Sequence, residues 1–180
     1  TLFPYTPLFR SPSEIDTVTI TVPPMPYVDR PQPDSGLSGK FSFQYTAAVA
    51  LLDGDVTIDS FSDRRRFASD MRALLERIIL RVDPGRSGQF KQMQVDVDVV
   101  LARGKVVSGA CDGPPGSWGR PVPSAALKAK AELCLRRIFP ADRAAAAIDG
   151  ASHIAEADGA ALRNLLAALT LPENGSSEAR

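Results

Sequence analysis

The sequence predicts an α+β fold, in which an antiparallel sheet of about four strands packs with helices and further helices follow. Two stretches alternate apolar and polar residues with the period of two that is typical of half-buried strands. Other stretches carry apolar residues at helical spacing. The predicted order is a strand, two helices, three strands and three helices. Strands clustered between helices favour a sheet covered by helices over a doubly wound fold.

Residues 14–22 form the first predicted strand, which ends at Pro23-Pro24. A loop with five prolines continues to Gly39, and this much proline indicates a shaped surface loop. Residues 41–52 carry apolar side chains on every face, which predicts a largely buried helix. Gly54 is its expected C-cap.

A second helix is expected from about Asp63, with Ser62 as its N-cap. Its inner stripe consists of Phe67, Met71, Leu74, Leu75 and Ile78. The pattern then changes to period two as far as Val82, which indicates a strand. Residues 93–101 give the clearest strand, and Arg103-Gly104 predicts a tight reversal into a strand over 105–110.

Three helices are predicted in the last third of the chain. The first begins at Ser124 as its cap and has an apolar stripe of Leu127, Ala131, Cys134, Leu135 and Ile138. The other two span residues 141–149 and 159–169.

Composition excludes several classes of protein. The 180 residues contain 21 basic and 21 acidic side chains, so no basic surplus supports nucleic-acid binding. Two cysteines and one histidine cannot form a four-cysteine zinc site or a histidine-based metal site. The longest apolar run, residues 47–52, is far shorter than the roughly 20 residues that span a membrane. We therefore expect a cytoplasmic protein without a nucleic-acid or membrane partner.

The two ends differ in composition from the middle. Residues 1–11 lack periodicity and resemble, apart from Pro7, the conceptual translation of a sequencing adapter, so we expect a non-native segment there. Residues 171–180 are polar and are expected to form a disordered tail. The domain proper is thus predicted over residues 12–170.

Several other motifs are better explained by structure than by chemistry. Asp96 and Asp98 share one strand face, which is ordinary for a solvent-facing sheet. The loop 113–119 has neither phosphate-loop spacing nor enough N–H donors, because two of its residues are prolines. The run at 64–66 is interpreted as a solvated basic face. His153, Cys111 and Cys134 have no neighbours that would mark a reactive side chain.

The stretch from Tyr27 to Tyr45 has a different character. Its proline-rich loop offers Tyr27, and Lys40 stands where the buried helix is expected to begin. A lysine there is unfavourable for the helix dipole but is useful if an anion binds at the free N–H groups. An anion site at Lys40 is therefore one hypothesis, and an ordinary surface lysine is the alternative.

These residues also carry a resemblance to a known family. GLSGKFSFQY at 36–45 and AVALLDG at 48–54 resemble the central block of the MmgE/PrpD family, which includes 2-methylcitrate dehydratase and cis-aconitate decarboxylase. YVDRP at 27–31 and GSWGRP at 116–121 resemble corresponding loops of cis-aconitate decarboxylases. The resemblance extends from about residue 14 to residue 169 and implies the α+β lid domain of this fold.

The resemblance implies a cofactor-independent lyase, either a dehydratase or a decarboxylase, that acts on a small di- or tricarboxylate. By similarity, Tyr27 falls at an active-site tyrosine and Lys40 at the family's characteristic basic residue. No metal or cofactor is implied. The implied partners are an N-terminal helical domain, which would carry most catalytic groups, and a second copy in a homodimer. The chain alone is therefore expected to be inactive. The alternative is a non-catalytic binding or dimerisation module that retains the lid fold.

Overall fold

The computed structural model describes residues 12–117 and 119–170. Within them, four strands form one sheet in the order β2-β1-β3-β4. The strands are β1 (Ile15–Val22), β2 (Ile78–Val82), β3 (Val95–Leu101) and β4 (Val106–Cys111). The α+β prediction is confirmed.

One strand pair differs from the expected antiparallel arrangement. β1 pairs antiparallel with β3, and β3 with β4, whereas β1 and β2 are parallel. The helical connection between β1 and β2 explains the difference. A crossover of this kind returns the chain in its original direction, which a tight hairpin cannot do. The predicted hairpin between β3 and β4 is present, with positive φ angles at both Arg103 and Gly104.

Three helices follow β1 in the chain, and two of them contribute to the core of the first part of the chain. They are α1 (Phe43–Asp53), α2 (Asp63–Arg66) and α3 (Ser69–Leu75). The alternating residues of β1 and β3 bury one face of the sheet, and α1, α3 and Ile78 of β2 contribute the other side chains of the same cluster. The largest fully buried members are Tyr45, Ile15, Ile20 and Met71.

The predicted second helix is in fact two helices. Ser62 caps α2 as expected, with its side chain accepting the Arg65 N–H, but the helix ends at Arg66. Ala68 adopts an extended backbone, with φ −61° and ψ 146°, before α3 begins. The single apolar stripe is therefore interrupted, and Phe67 is exposed while Met71, Leu74 and Leu75 are buried.

The chain divides into two compact units, Thr1–Pro121 and Val122–Arg180. The second unit contains α4 (Ser124–Leu135), α5 (Ala141–Ser152) and α6 (Gly159–Leu169). Its buried apolar residues are Phe139, Ala144, Ala147 and Leu165. Ser124 is the first residue of α4 and not its cap, because Pro123 occupies the N-cap position.

Two sequence predictions, for residues 1–11 and for residues 171–180, lie outside the described residues. Among the helices that the structure describes, none has the length and apolar character needed to cross a membrane.

Candidate functional site

Tyr27 and Lys40 both lie in short 3-10 turns of the first unit. Tyr27 is the middle residue of the turn Pro26–Val28, and its side chain is 57% exposed. Lys40 belongs to the turn Ser38–Phe41 and is also exposed. The expectation that Lys40 begins the buried helix is therefore wrong in detail, because α1 starts only at Phe43.

Ser42 explains where α1 begins. Its side-chain oxygen accepts a hydrogen bond from the Tyr45 N–H at 2.9 Å, which is the standard N-cap interaction. The same hydroxyl donates to the Arg30 carbonyl at 2.6 Å. One side chain thus caps the helix and attaches it to the loop that follows Tyr27. Because the Ser42 hydroxyl already accepts the Tyr45 N–H, that N–H of the first turn is not available to bind an anion.

Gln44 makes a second connection between the same two segments. Its side-chain amide donates to the Asp29 carboxylate at 2.7 Å and accepts from the Arg30 N–H at 3.3 Å. Gln44 is only 2% exposed, so these bonds are shielded from water. The loop that bears Tyr27 is therefore fixed to the residues directly after Lys40.

The residues on either side of the Lys40 turn contact the segment from Ser60 to Asp63. The Gly36 N–H donates to the Asp63 carboxylate at 2.8 Å. The hydroxyl of buried Tyr45 donates to the Ser60 carbonyl at 2.5 Å. The Lys40 Nζ lies 5.6 Å from the centroid of the Phe61 ring. These contacts give the lysine a defined environment, although its head group stays accessible.

The site is open and contains both signs of charge, with Lys40 and Arg30 as cations and Asp29 as the carboxylate bonded to Gln44. In the described part of the chain, no carboxylate forms an ion pair with Lys40. The Arg30 guanidinium lies nearby in the chain, 5.7 Å from the centroid of the Phe41 ring. An exposed ammonium and an exposed phenol on connected turns can bind an anion and supply a proton. We refer to Tyr27, Lys40 and their supporting residues Ser42 and Gln44 as the turn site.

Three other residues considered from the sequence have structural partners. Asp96 pairs with Arg86, which holds the pKa of that carboxyl below its usual range. Asp98 accepts a hydrogen bond from Ser108 at 2.5 Å. The His153 ring nitrogen lies 2.9 Å from the Asp149 carbonyl within α5. No group of three metal-ligating side chains is found among the described residues.

The interpretation of residues 64–66 as a solvated basic face is wrong for two of the three. Arg66 is only 4% exposed, and Arg65 forms ion pairs with Asp53 and Asp70 at 2.8 and 2.9 Å. Successive helical residues point about 100° apart, so three adjacent arginines cannot share one face. The angle between successive helical residues was therefore the signal in the sequence that pointed to different environments for the three arginines.

Comparison with known proteins gives consistent results. The MmgE/PrpD C-terminal domain matches residues 8–155. Cis-aconitate decarboxylases of Mus musculus and Homo sapiens are each 30% identical to the chain over 116 residues. The aligned part covers 64% of this chain and 24% of each relative, so the chain spans about a quarter of their length. With most of its length matched and the α+β fold in place, the chain belongs to the MmgE/PrpD family as a C-terminal domain.

Proposed function

We propose that this chain is the C-terminal domain of a cofactor-independent lyase that acts on a small di- or tricarboxylate. The observation that carries the proposal is the anchoring of the Tyr27 loop to the start of α1, immediately after Lys40, through Ser42 and Gln44. The similarity to cis-aconitate decarboxylases supports the same class of reaction. Methylcitrate and cis-aconitate are both candidate substrates.

The two possible reactions place similar demands on the protein. In dehydration, a base removes a proton from the carbon next to a carboxylate, and the C–O bond breaks as hydroxide leaves and is protonated to water. In decarboxylation, the bond to one carboxylate breaks, CO₂ leaves, and a proton is added to the carbanion that remains. Negative charge builds up on the remaining carboxylates in both cases.

Lys40 stabilises this developing charge in the proposed mechanism, because an ammonium held near the substrate favours the transition state over the ground state. Tyr27 donates or relays the proton. The remaining acid and base come from an N-terminal helical domain, so the chain alone is inactive. The complete enzyme is a cytoplasmic homodimer.

The test uses a full-length protein that contains this chain, assayed with cis-aconitate and with 2-methylcitrate. Lys40→Ala should lower kcat roughly a hundredfold or more, the usual effect of removing one electrostatic contact to the transition state. Tyr27→Phe should lower kcat by a similar factor if its hydroxyl transfers a proton. Release of CO₂ distinguishes decarboxylation from dehydration.

Lys105→Ala is the matched control, because Lys105 is an exposed lysine in the turn between β3 and β4. It should retain wild-type turnover. Urea unfolding of each variant verifies that the domain still folds. Wild-type turnover in both Lys40→Ala and Tyr27→Phe would refute the assigned roles. A full-length protein that binds these acids without turning them over would support the non-catalytic alternative.

A further inference from the structure

An open cleft of about 310 Å³ lies in the first unit, and its lining does not include Tyr27 or Lys40. The lining residues are Gln32, Arg66, Phe67, Arg72 and Glu76. They come from the proline-rich loop, the end of α2, and the region of α3. We refer to this cavity as the arginine cleft.

Arg66 is buried without a counter-ion in the described part of the chain. Its Nε donates to the Pro33 carbonyl at 2.6 Å and its Nη2 to the Gln32 side-chain oxygen at 3.0 Å. Both acceptors are neutral, so they orient the guanidinium without balancing its charge. Burial accordingly lowers the pKa of Arg66 below its usual range. A buried charge of this kind is costly unless an opposite charge meets it.

Arg72 brings a second cation to the same place. The Arg66 and Arg72 guanidinium carbons lie 5.0 and 5.4 Å from the centroid of the Phe67 ring. The ring attracts both cations through its π face but does not neutralise them. Repulsion from Arg72 further lowers the pKa of Arg66.

Arg65 provides an internal comparison. It is the residue next to Arg66, and its guanidinium meets the Asp53 and Asp70 carboxylates through four hydrogen bonds of 2.8–3.1 Å. The chain therefore supplies carboxylates to the arginine that does not line the cleft. It leaves the two arginines of the cleft without such partners among the described residues.

We propose that the arginine cleft binds a small organic monocarboxylate, whose carboxylate is held by Arg66 and Arg72 and whose carbon chain lies against Phe67. Gln32 contributes as well, because its oxygen accepts from Arg66 and its amide nitrogen is then oriented as a donor. Two guanidinium groups and the Glu76 carboxylate leave one net positive charge in the lining. One carboxylate neutralises that charge, whereas a second carboxylate would lose its hydration beside Glu76 without a further cation to pair with it, so the cleft favours a monocarboxylate over a di- or tricarboxylate.

The test is a titration of the complete 180-residue chain with sodium propionate, with sodium chloride added to keep the ionic strength constant. Binding is followed through the Nε–H signals of the arginine side chains in ¹H–¹⁵N NMR spectra, assigned by single substitutions. We expect saturable shifts of the Arg66 and Arg72 signals. The Arg103 signal, from the exposed turn between β3 and β4, should not shift in this way.

Arg72→Gln should weaken propionate binding at least about tenfold, because one charge-assisted hydrogen bond is lost. Arg64→Gln is the matched control, since Arg64 is an exposed arginine of α2 that does not line the cleft, and it should bind as the wild type does. Arg72 is itself exposed, so its replacement does not threaten folding as that of buried Arg66 does.

Two outcomes would overturn the proposal: absence of saturable shifts, or equal affinities in the Arg72→Gln and Arg64→Gln variants. Glu76→Gln tests the preference for a single charge, and it should strengthen malonate binding relative to propionate by several-fold. An unchanged ratio would refute that preference. Lys40→Ala and Tyr27→Phe should leave propionate binding intact, which separates failure here from failure of the proposed lyase function.

Discussion

Gly36 and Gly39 lie so close to neighbouring atoms that neither position has room for a side chain. A Cβ on Gly36 would lie 2.4 Å from the Phe61 carbonyl oxygen, and one on Gly39 would lie 2.4 Å from Cδ1 of Tyr45. Both distances are far below van der Waals contact. Residues 36–39 can therefore approach α1 and the segment before α2 only because these two residues are glycines.

Gly36→Ala should lower the free energy of unfolding by about 1–3 kcal/mol, because the obstacle is backbone that cannot rotate away. Urea unfolding followed by circular dichroism measures the change. Gly88→Ala is the control, since its nearest neighbours would be 3.8 Å from the new Cβ. A Gly36→Ala variant as stable as Gly88→Ala would contradict the tight packing described for this turn.

The pair of Asp96 and Arg86 predicts a pH dependence of stability. A hydrogen bond from Arg86 is the main cause that lowers the pKa of Asp96 in the folded chain. The carboxylate therefore stabilises the fold above its unfolded pKa of about 3.9, and this contribution is lost as the pH falls through the lower folded pKa.

Asp96→Asn should consequently lose less stability than the wild type when the pH is lowered from about 5 to about 3. Thermal unfolding at a series of pH values measures the difference. Arg86→Gln should flatten the same part of the profile, and the double variant should flatten it no further, because both changes remove the bond between Arg86 and Asp96. A wild-type pH profile in Asp96→Asn would rule out this coupling.

At the level of single residues, the sequence could nominate candidate side chains but could not predict their surroundings. Tyr27 and Lys40 could be selected from local context and family resemblance, and both side chains are accessible. The bonds of Gln44 to Asp29 and Arg30 join residues 15 and 14 positions apart, so no local pattern revealed them. Burial of Arg66 depends on acceptors 33 and 34 positions away and was missed for the same reason.

At the level of elements, the first turn of α1 makes two kinds of contact. Tyr45 packs in the core, and Gln44 forms hydrogen bonds to the loop that bears Tyr27. Gln44→Met keeps a similar volume but removes the bonds to Asp29 and Arg30. The Arg30 amide should then exchange with deuterium faster, because its acceptor is lost. Exchange in β2 should be unchanged.

Hydrogen–deuterium exchange detected by NMR measures both regions in one experiment. Gln92→Met, at an exposed glutamine between β2 and β3, is the matched control and should leave the Arg30 amide unaffected. Unchanged exchange of Arg30 in Gln44→Met would show that other contacts hold the loop. In a full-length enzyme, the same variant should reduce turnover less than Lys40→Ala does, because Gln44 acts through positioning.

The limits of sequence-based prediction at this level follow from the range of the interactions. The alternation of apolar and polar residues over 14–22 and 93–101 predicted β1 and β3, because a strand with one buried face has this pattern in its own sequence. The parallel direction of β2 follows from the helical crossover before it, and the alternation within β2 is the same in either direction. The break at Ala68 separates α2 from α3 without a proline or glycine to mark it.

At the scale of the whole molecule, the two units differ in how much core each contains. The main cluster of buried apolar residues lies between Ile15 and Leu101, entirely within Thr1–Pro121. In the described part of Val122–Arg180, the structure has helices of 12, 12 and 11 residues and four buried apolar side chains. Isolated helices of about this length are marginal in water unless packing supports them.

A fragment of residues 1–121 should therefore fold by itself and unfold in one cooperative transition, because it contains the whole sheet and its core. A fragment of residues 122–180 should show partial helicity without a cooperative transition. Circular dichroism during urea unfolding tests both fragments, with the complete chain as the reference. Amides of β1 and β3 should exchange about as slowly in the first fragment as in the complete chain, since the sheet bonds lie within it. Loss of cooperative unfolding from the first fragment would mean that the sheet and its helices are not sufficient for stability, and the division at Pro121 would then not mark an independent folding unit.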